Sequence, residues 1–200
     1  MFRKTNPRTP RQQEIVNAAR KIISSGGTKS LTVRQIAKEL KITDGALYKH
    51  FDTKNDIIRL LIGDIEDTLL NNIQKAAQKS DDPLEKLKSI FFSHLSYAEQ
   101  RKGLTFIIIN ETLSMKDKRL QEKMYKVVHT YLKTIETIVS KGINSGRFRN
   151  DLNAVSASVA FFGIVQATVT IWALSGFHPS LMRSNRLNEL FDIYKRGIVM

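Results

Sequence analysis

The stretch Leu31–Lys54, LTVRQIAKELKITDGALYKHFDTK, narrows the possible folds more than any other part of the chain. Val33, Ile36, Ala37 and Leu40 fall at i, i+3, i+4 and i+7, which makes one apolar stripe on a short helix. Thr32 precedes that stripe and Gln35 follows three residues on. This is the pattern of a capping box, in which the hydroxyl and the amide each satisfy an orphan backbone N–H. Lys41, Ile42 and Thr43 then separate Leu40 from a second short segment, Asp44 to Phe51. Two short helices about such a turn make a helix-turn-helix, whose second helix enters the major groove of DNA. Leu47 and Phe51, at i and i+4, pack inward. Gly45, Ala46, Tyr48, Lys49 and His50 are left outward, and small, aromatic or basic side chains suit groove and phosphate contact.

Charge supports the same reading. The chain carries a formal +13, and residues 1–60 hold 13 Lys/Arg against 5 Asp/Glu where residues 61–200 hold 19 against 14. The excess is therefore concentrated around the helix-turn-helix and leans toward a polyanion, nucleic acid above all. With no Cys, disulfides and thiolate zinc sites are excluded, and a reducing cytoplasm is the expected compartment. The opening MFRKTNPRTPRQQ is basic and polar, without the apolar run of a secretory signal.

The succession LTVRQIAKEL, ITDGALYKHF and Lys54 resembles the N-terminal domain of the TetR family of transcriptional regulators. The resemblance implies that Tyr48, in the Y-x-H-F run, and Lys54, opening the next helix, hold the DNA backbone. It also implies that Arg34, Thr43, Asp44 and Gly45 reach bases or phosphates. With Thr32, Ala46, Lys49 and His50, these residues form the candidate DNA surface. Two positions depart from the family's pattern. Lys41 stands where the family often has Gly, and a left-handed Lys costs roughly 1–2 kcal/mol. Asp44 is an acid at the groove-facing start of the recognition helix, where it either accepts from a cytosine amino group or supports the helix N-terminus.

The remaining chain reads as helices throughout. Residues 1–8 form a basic arm, either touching phosphates through Arg3, Lys4 and Arg8 or serving as a plain tail. Thr9, Pro10 and Gln12 start a first helix that Gly26-Gly27 ends. A long helix from Thr53 to about Lys79 links the DNA-binding part to the rest, with Gly63 as a place to bend. Asp82-Pro83-Leu84-Glu85 opens another; further helices span Leu104–Ser114, about Lys116–Asn144, Ala154–Leu174 and Asn185–Ile198. Leu152 to Met182 contains no Asp, Glu, Lys or Arg. Within it, the 21 residues Ala154–Leu174 suffice in length for a bilayer, but Ser156, Ser158, Gln166, Thr168 and Thr170 interrupt them and no second span accompanies them. A core face and a face against a second subunit account for it better.

The expected architecture is therefore all-α: a helix-turn-helix domain over residues 1–52 and a helical ligand-binding and dimerisation bundle over 53–200. No glycine-rich phosphate loop, H-E-x-x-H or G-x-S-x-G occurs, and His50, His94, His129 and His178 are scattered, so neither catalysis, metal nor cofactor is expected. His94 points inward, more simply as a hydrogen-bonded core histidine than as a ligand contact. Aromatic side chains of the larger domain are most simply core. The resemblance adds a small-molecule cavity, for which Phe91, His94, Phe106, Asn110, Tyr125, Phe162, Gln166 and Thr170 are candidates. It further implies a homodimer that represses from a palindromic operator and is released by an inducer. The C-terminal FFGIVQ…W…LFDIYKRGI looks like regulators of fatty-acid metabolism, which points to acyl-CoA or a long-chain lipid, with drug-like compounds as the competing class. The alternatives are a sequence-indifferent basic protein of DNA or membrane surfaces, and an enzyme for which no convergent polar cluster can be assembled.

Overall fold

A computed structural model of the chain describes residues 8–48, 51 and 53–200. Among them the backbone forms nine α-helices and two short 3-10 turns, with no strand, so the fold is all-α as the sequence predicts. The chain divides into two compact units, one of residues up to 67 with 107–124, the other of 68–106 with 125–200.

The first unit opens with α1 (Pro10–Gly26), where Thr9 Oγ1 accepts from the Gln12 N–H at 3.2 Å and Gln12 Oε1 accepts from the Thr9 N–H at 3.1 Å. Both halves of this capping box are made. After a 3-10 turn (Thr28–Ser30) come α2 (Val33–Glu39), α3 (Asp44–Tyr48) and α4 (Lys54–Ala77). Ile15, Val16 and Ala19 of α1, Ile36 and Ala37 of α2, Leu47 of α3, and Ile57, Ile58 and Leu61 of α4 are buried. Neither α2 nor α3 is long enough to be stable alone; burial of these side chains, about 1.5–3 kcal/mol each for the larger ones, holds them. Asp64 of α4 is buried, and Arg8 donates to it at 2.6 Å while Arg20 of α1 also bonds it. A buried carboxylate needs such partners, and this one ties α1 and the residues before it to α4.

The second unit contains the later half of α4, α5 (Pro83–Gln100), the start of α6 (Leu104–Ser114), most of α7 (Lys118–Asn144), α8 (Ala154–Leu174) and α9 (Ser184–Ile198). Asp82 caps α5 by accepting from the N–H groups of Leu84 and Glu85. Phe91 of α5 lies 6.1 Å from Phe161 of α8 and 5.6 Å from Phe191 of α9, centroid to centroid. These aromatics form the core where α5, α8 and α9 meet.

Helix α8 buries Ala157, Phe161, Val165, Val169 and Trp172, and leaves Val155, Val159 and Ile171 about half exposed, at 52%, 53% and 51%. The hydroxyls of Ser158, Thr168 and Thr170 donate to carbonyls one turn back in the same helix, so they sit in an apolar segment without needing other partners. By length and composition the helix is long and apolar enough to cross a membrane. Its inner face nevertheless packs on α5 and α9, and the outer face remains open and apolar.

Candidate nucleic-acid interface

The turn between α2 and α3 sets the geometry of this surface. Lys41 adopts φ +55°. Around it the Ile42 N–H donates to Ala37 C=O at 3.0 Å and the Lys41 N–H to Lys38 C=O at 3.2 Å. Those two bonds are a Schellman closure with Lys41 in the left-handed position normally given to Gly. The α2 start differs from the expected capping box. Thr32 Oγ1 accepts from the Gln35 N–H at 3.0 Å, which is the hydroxyl half of the motif, and Gln35 itself is exposed rather than folded back.

Thr43 caps α3, its hydroxyl accepting from the Ala46 N–H at 3.3 Å. Leu47 is 1% exposed and Phe51 is buried, whereas Tyr48, between them in sequence, is 48% exposed. Anchoring of Leu47 and Phe51 thus fixes which side of α3 faces out. Thr32, Arg34, Thr43, Asp44 and Gly45 are exposed and Ala46 is half-buried, so these candidates and Tyr48 share accessible positions on α2, the turn and α3. Lys49 and His50 lie outside the described residues, as do Arg3 and Lys4.

Lys54, the first residue of α4, is half-buried and ion-paired with Glu111 of α6 at 2.6 Å. Burial pushes the Glu111 carboxyl up, but hydrogen bonds from Lys54 and Thr28, with the Lys54 charge, outweigh it and hold the group below its ordinary value. Next to Lys54, Asn55 Nδ2 donates to Asp117 Oδ2 at 2.8 Å. Sequence reasoning missed Glu111 and Asp117, because an acid 57 or 62 residues away leaves no local pattern pointing at Lys54 or Asn55.

The candidate ligand residues divide. His94 is buried with Nδ1 3.2 Å from Tyr131 Oη, and the Phe162 ring lies tilted against Tyr131 with centroids 5.4 Å apart. Phe91 belongs to the neighbouring aromatic cluster. Burial lowers the His94 imidazole to about 4 and raises the Tyr131 phenol. Phe106, Gln166 and Thr170 are half-buried. Tyr125 stands apart, 67% exposed with its ring 5.7 Å from His129, and Asn110 is exposed in the other compact unit. Tyr131, which joins His94 to Phe162, is not among the sequence candidates, since its apolar phase on α7 is shared by every other buried residue there. Among the described residues no three or more His, Cys, Asp or Glu side chains gather as a metal site.

Residues 15–61 match the family model described as bacterial regulatory proteins, tetR family, and residues 65–191 match that of the YsiA-like protein C-terminal region. The fatty acid metabolism regulator protein of Bacillus subtilis (strain 168) is 26% identical over 94% of this chain and 96% of its own. The nucleoid occlusion factor SlmA of Sodalis glossinidius is 31% identical over 68% of this chain and 70% of its own. Among solved structures, the transcriptional regulator FadR from Bacillus subtilis in complex with stearoyl-CoA superposes with a TM-score of 0.79, at 24% identity over 91% of this chain and 96% of that one.

Proposed function

The chain belongs to the tetR family of bacterial regulatory proteins, and from that premise we propose a ligand-responsive repressor, released from a palindromic operator by an apolar or amphipathic inducer. The observation that carries the reading is the exposed side of α2 and α3, with Arg34, Thr43, Asp44, Gly45 and Tyr48 outward over a core of Leu47 and Phe51. Tyr48 and Lys54 take the backbone, which positions the protein, while the start of α3 reads bases. Capped helices over a packed core favour a rigid reader over a sequence-indifferent basic surface.

The division of labour we assign is DNA binding to residues 1–52, and ligand binding with dimerisation to 53–200. Helix-turn-helix proteins match a two-fold operator with a two-fold of their own. Val155, Val159 and Ile171 of α8 and Ile193 of α9, all exposed, supply an apolar face for a four-helix interface between two copies. The compartment is the cytoplasm, and no catalytic role is assigned.

For the inducer we favour acyl-CoA, supported by the fatty acid metabolism regulator and by the stearoyl-CoA complex among the similar structures. The acyl chain would part the aromatic cluster around Phe91, His94, Tyr131 and Phe162. It releases DNA only by as much as it prefers the DNA-incompetent conformation.

Selection of bound sequences from random duplex DNA tests the first part: an inverted repeat is the expected product. Titration of the protein–operator complex with palmitoyl-CoA, coenzyme A, palmitate and a cationic drug-like dye tests the second. Release by the first alone identifies acyl-CoA; release by the dye alone identifies the competing class.

A further inference from the structure

The turn between α6 and α7 is basic, fixed and next to the residue assigned to the DNA backbone. Residues 116–126 hold five Lys/Arg against two Asp/Glu, and without them residues 61–200 are close to neutral at 14 against 12. Asn55, Arg59 and Met115–Arg119 line a shallow notch of about 710 Å³. Asp117 caps α7, its Oδ1 accepting from the N–H groups of Arg119 and Leu120 at 3.0 and 3.2 Å, and its Oδ2 accepts from Asn55. Those bonds, the one from Leu120 foremost, hold its carboxyl below the ordinary value.

The one acid in the notch is therefore committed to backbone and amide groups. Lys116, Lys118 and Arg119 are exposed around it, with no ion pair among the described residues. Arg59, the fourth cation, is engaged by Asp56. The Asn55–Asp117 bond fixes this turn to the first turn of α4, one residue beyond Lys54.

We propose that Lys116, Lys118 and Arg119 form a second, sequence-indifferent contact with DNA phosphates, extending the footprint beyond the helix-turn-helix. The inference rests on the reading that α3 and the start of α4 lie on duplex DNA. Three exposed cations, Lys116 in the turn and Lys118 and Arg119 in the first turn of α7, with no ion pair among the described residues, suit a row of phosphates better than bases. Their continuity with Lys54 selects the backbone beside the operator as the occupant.

The test uses the full chain, an operator duplex from the random selection and a scrambled duplex, titrated by fluorescence anisotropy from 50 to 300 mM salt. The variant K116Q/K118Q/R119Q alters only exposed side chains, and circular dichroism checks its fold. Loss of three phosphate contacts per protomer lowers the slope of log affinity against log salt by about 2.7 per protomer. Both duplexes should weaken by the same factor, tenfold or more at low salt. An unchanged slope with an intact fold overturns the proposal. So does weakening confined to the operator, which would mean base reading, or an altered response to palmitoyl-CoA with DNA binding unchanged. Wild-type protein that binds neither duplex would instead refute the underlying DNA-binding assignment.

Discussion

Lys54 Nζ lies 2.6 Å from Glu111 Oε1, so the ammonium assigned to a DNA phosphate is already engaged by α6. Glu111 is held in turn by the Thr28 hydroxyl. Carboxylate and phosphate compete for one cation. Lys54→Ala should weaken operator and scrambled duplex alike. Glu111→Gln should tighten both by about 2–5-fold, the scale of a partly exposed pair. Equilibrium titration of the double variant should show no gain from Glu111→Gln once Lys54 is gone. Weaker binding by Glu111→Gln alone would mean that Glu111 positions Lys54 rather than restraining it.

Lys41 sits at φ +55° in the turn that aims α3. Lys41→Gly removes a left-handed strain of about 1–2 kcal/mol and returns part of it through a more flexible unfolded chain, so the net gain is at most about 1 kcal/mol. Thermal unfolding should show a modest rise in Tm, and a fall would contradict the strain assignment.

Gly142 allows α7 to lie against the Phe148 ring, where a Cβ would stand 2.1 Å from the nearest ring carbon. Gly142→Ala should therefore destabilise by about 1–3 kcal/mol as the buried ring shifts. Urea unfolding measures it. A neutral result would show that Phe148 repacks freely.

His94 gives a pH dependence whose sign is fixed. Its imidazole is lowered to about 4 from an ordinary 6.5, so the unfolded chain binds the proton first. Stability should be fully present above about pH 6.5 and fall as pH drops toward 4. His94→Leu should flatten that limb of the stability curve; an unchanged limb would place the acid sensitivity elsewhere.

Val165, in the middle of α8, is fully buried within the protomer, so Val165→Glu tests the core of one chain. Val159→Glu and Ile171→Glu place charge on the exposed side instead. Sedimentation should show folded monomers for this pair. A dimer that survives both would put the two-fold interface on another surface.

Much of the fold was legible because its signals are local. Thr9-Pro10-x-Gln12 and Asp82-Pro83 cap the helices they announce, and α8, Ala154–Leu174, lies inside the charge-free run Leu152–Met182 and stops short of Gly176. The exposed positions of Thr43–Gly45 and Tyr48 follow from Leu47 and Phe51 being the inward pair. What escaped was non-local. Glu111 reaches Lys54, Asp117 reaches Asn55, and Arg8 and Arg20 meet on Asp64, each through tertiary packing that periodicity does not encode. Tyr125 shows the same limit within one helix: it is next to buried Met124, and one residue's rotation of about 100° carries it from core to solvent.

The central claim is that two copies present α3 to successive major grooves of a two-fold site. The most direct measurement is the affinity of the purified protein for the selected inverted repeat against a duplex with one half-site scrambled, at one fixed salt concentration. The account predicts a preference of about a thousandfold or more. Equal affinity for the two duplexes would contradict it.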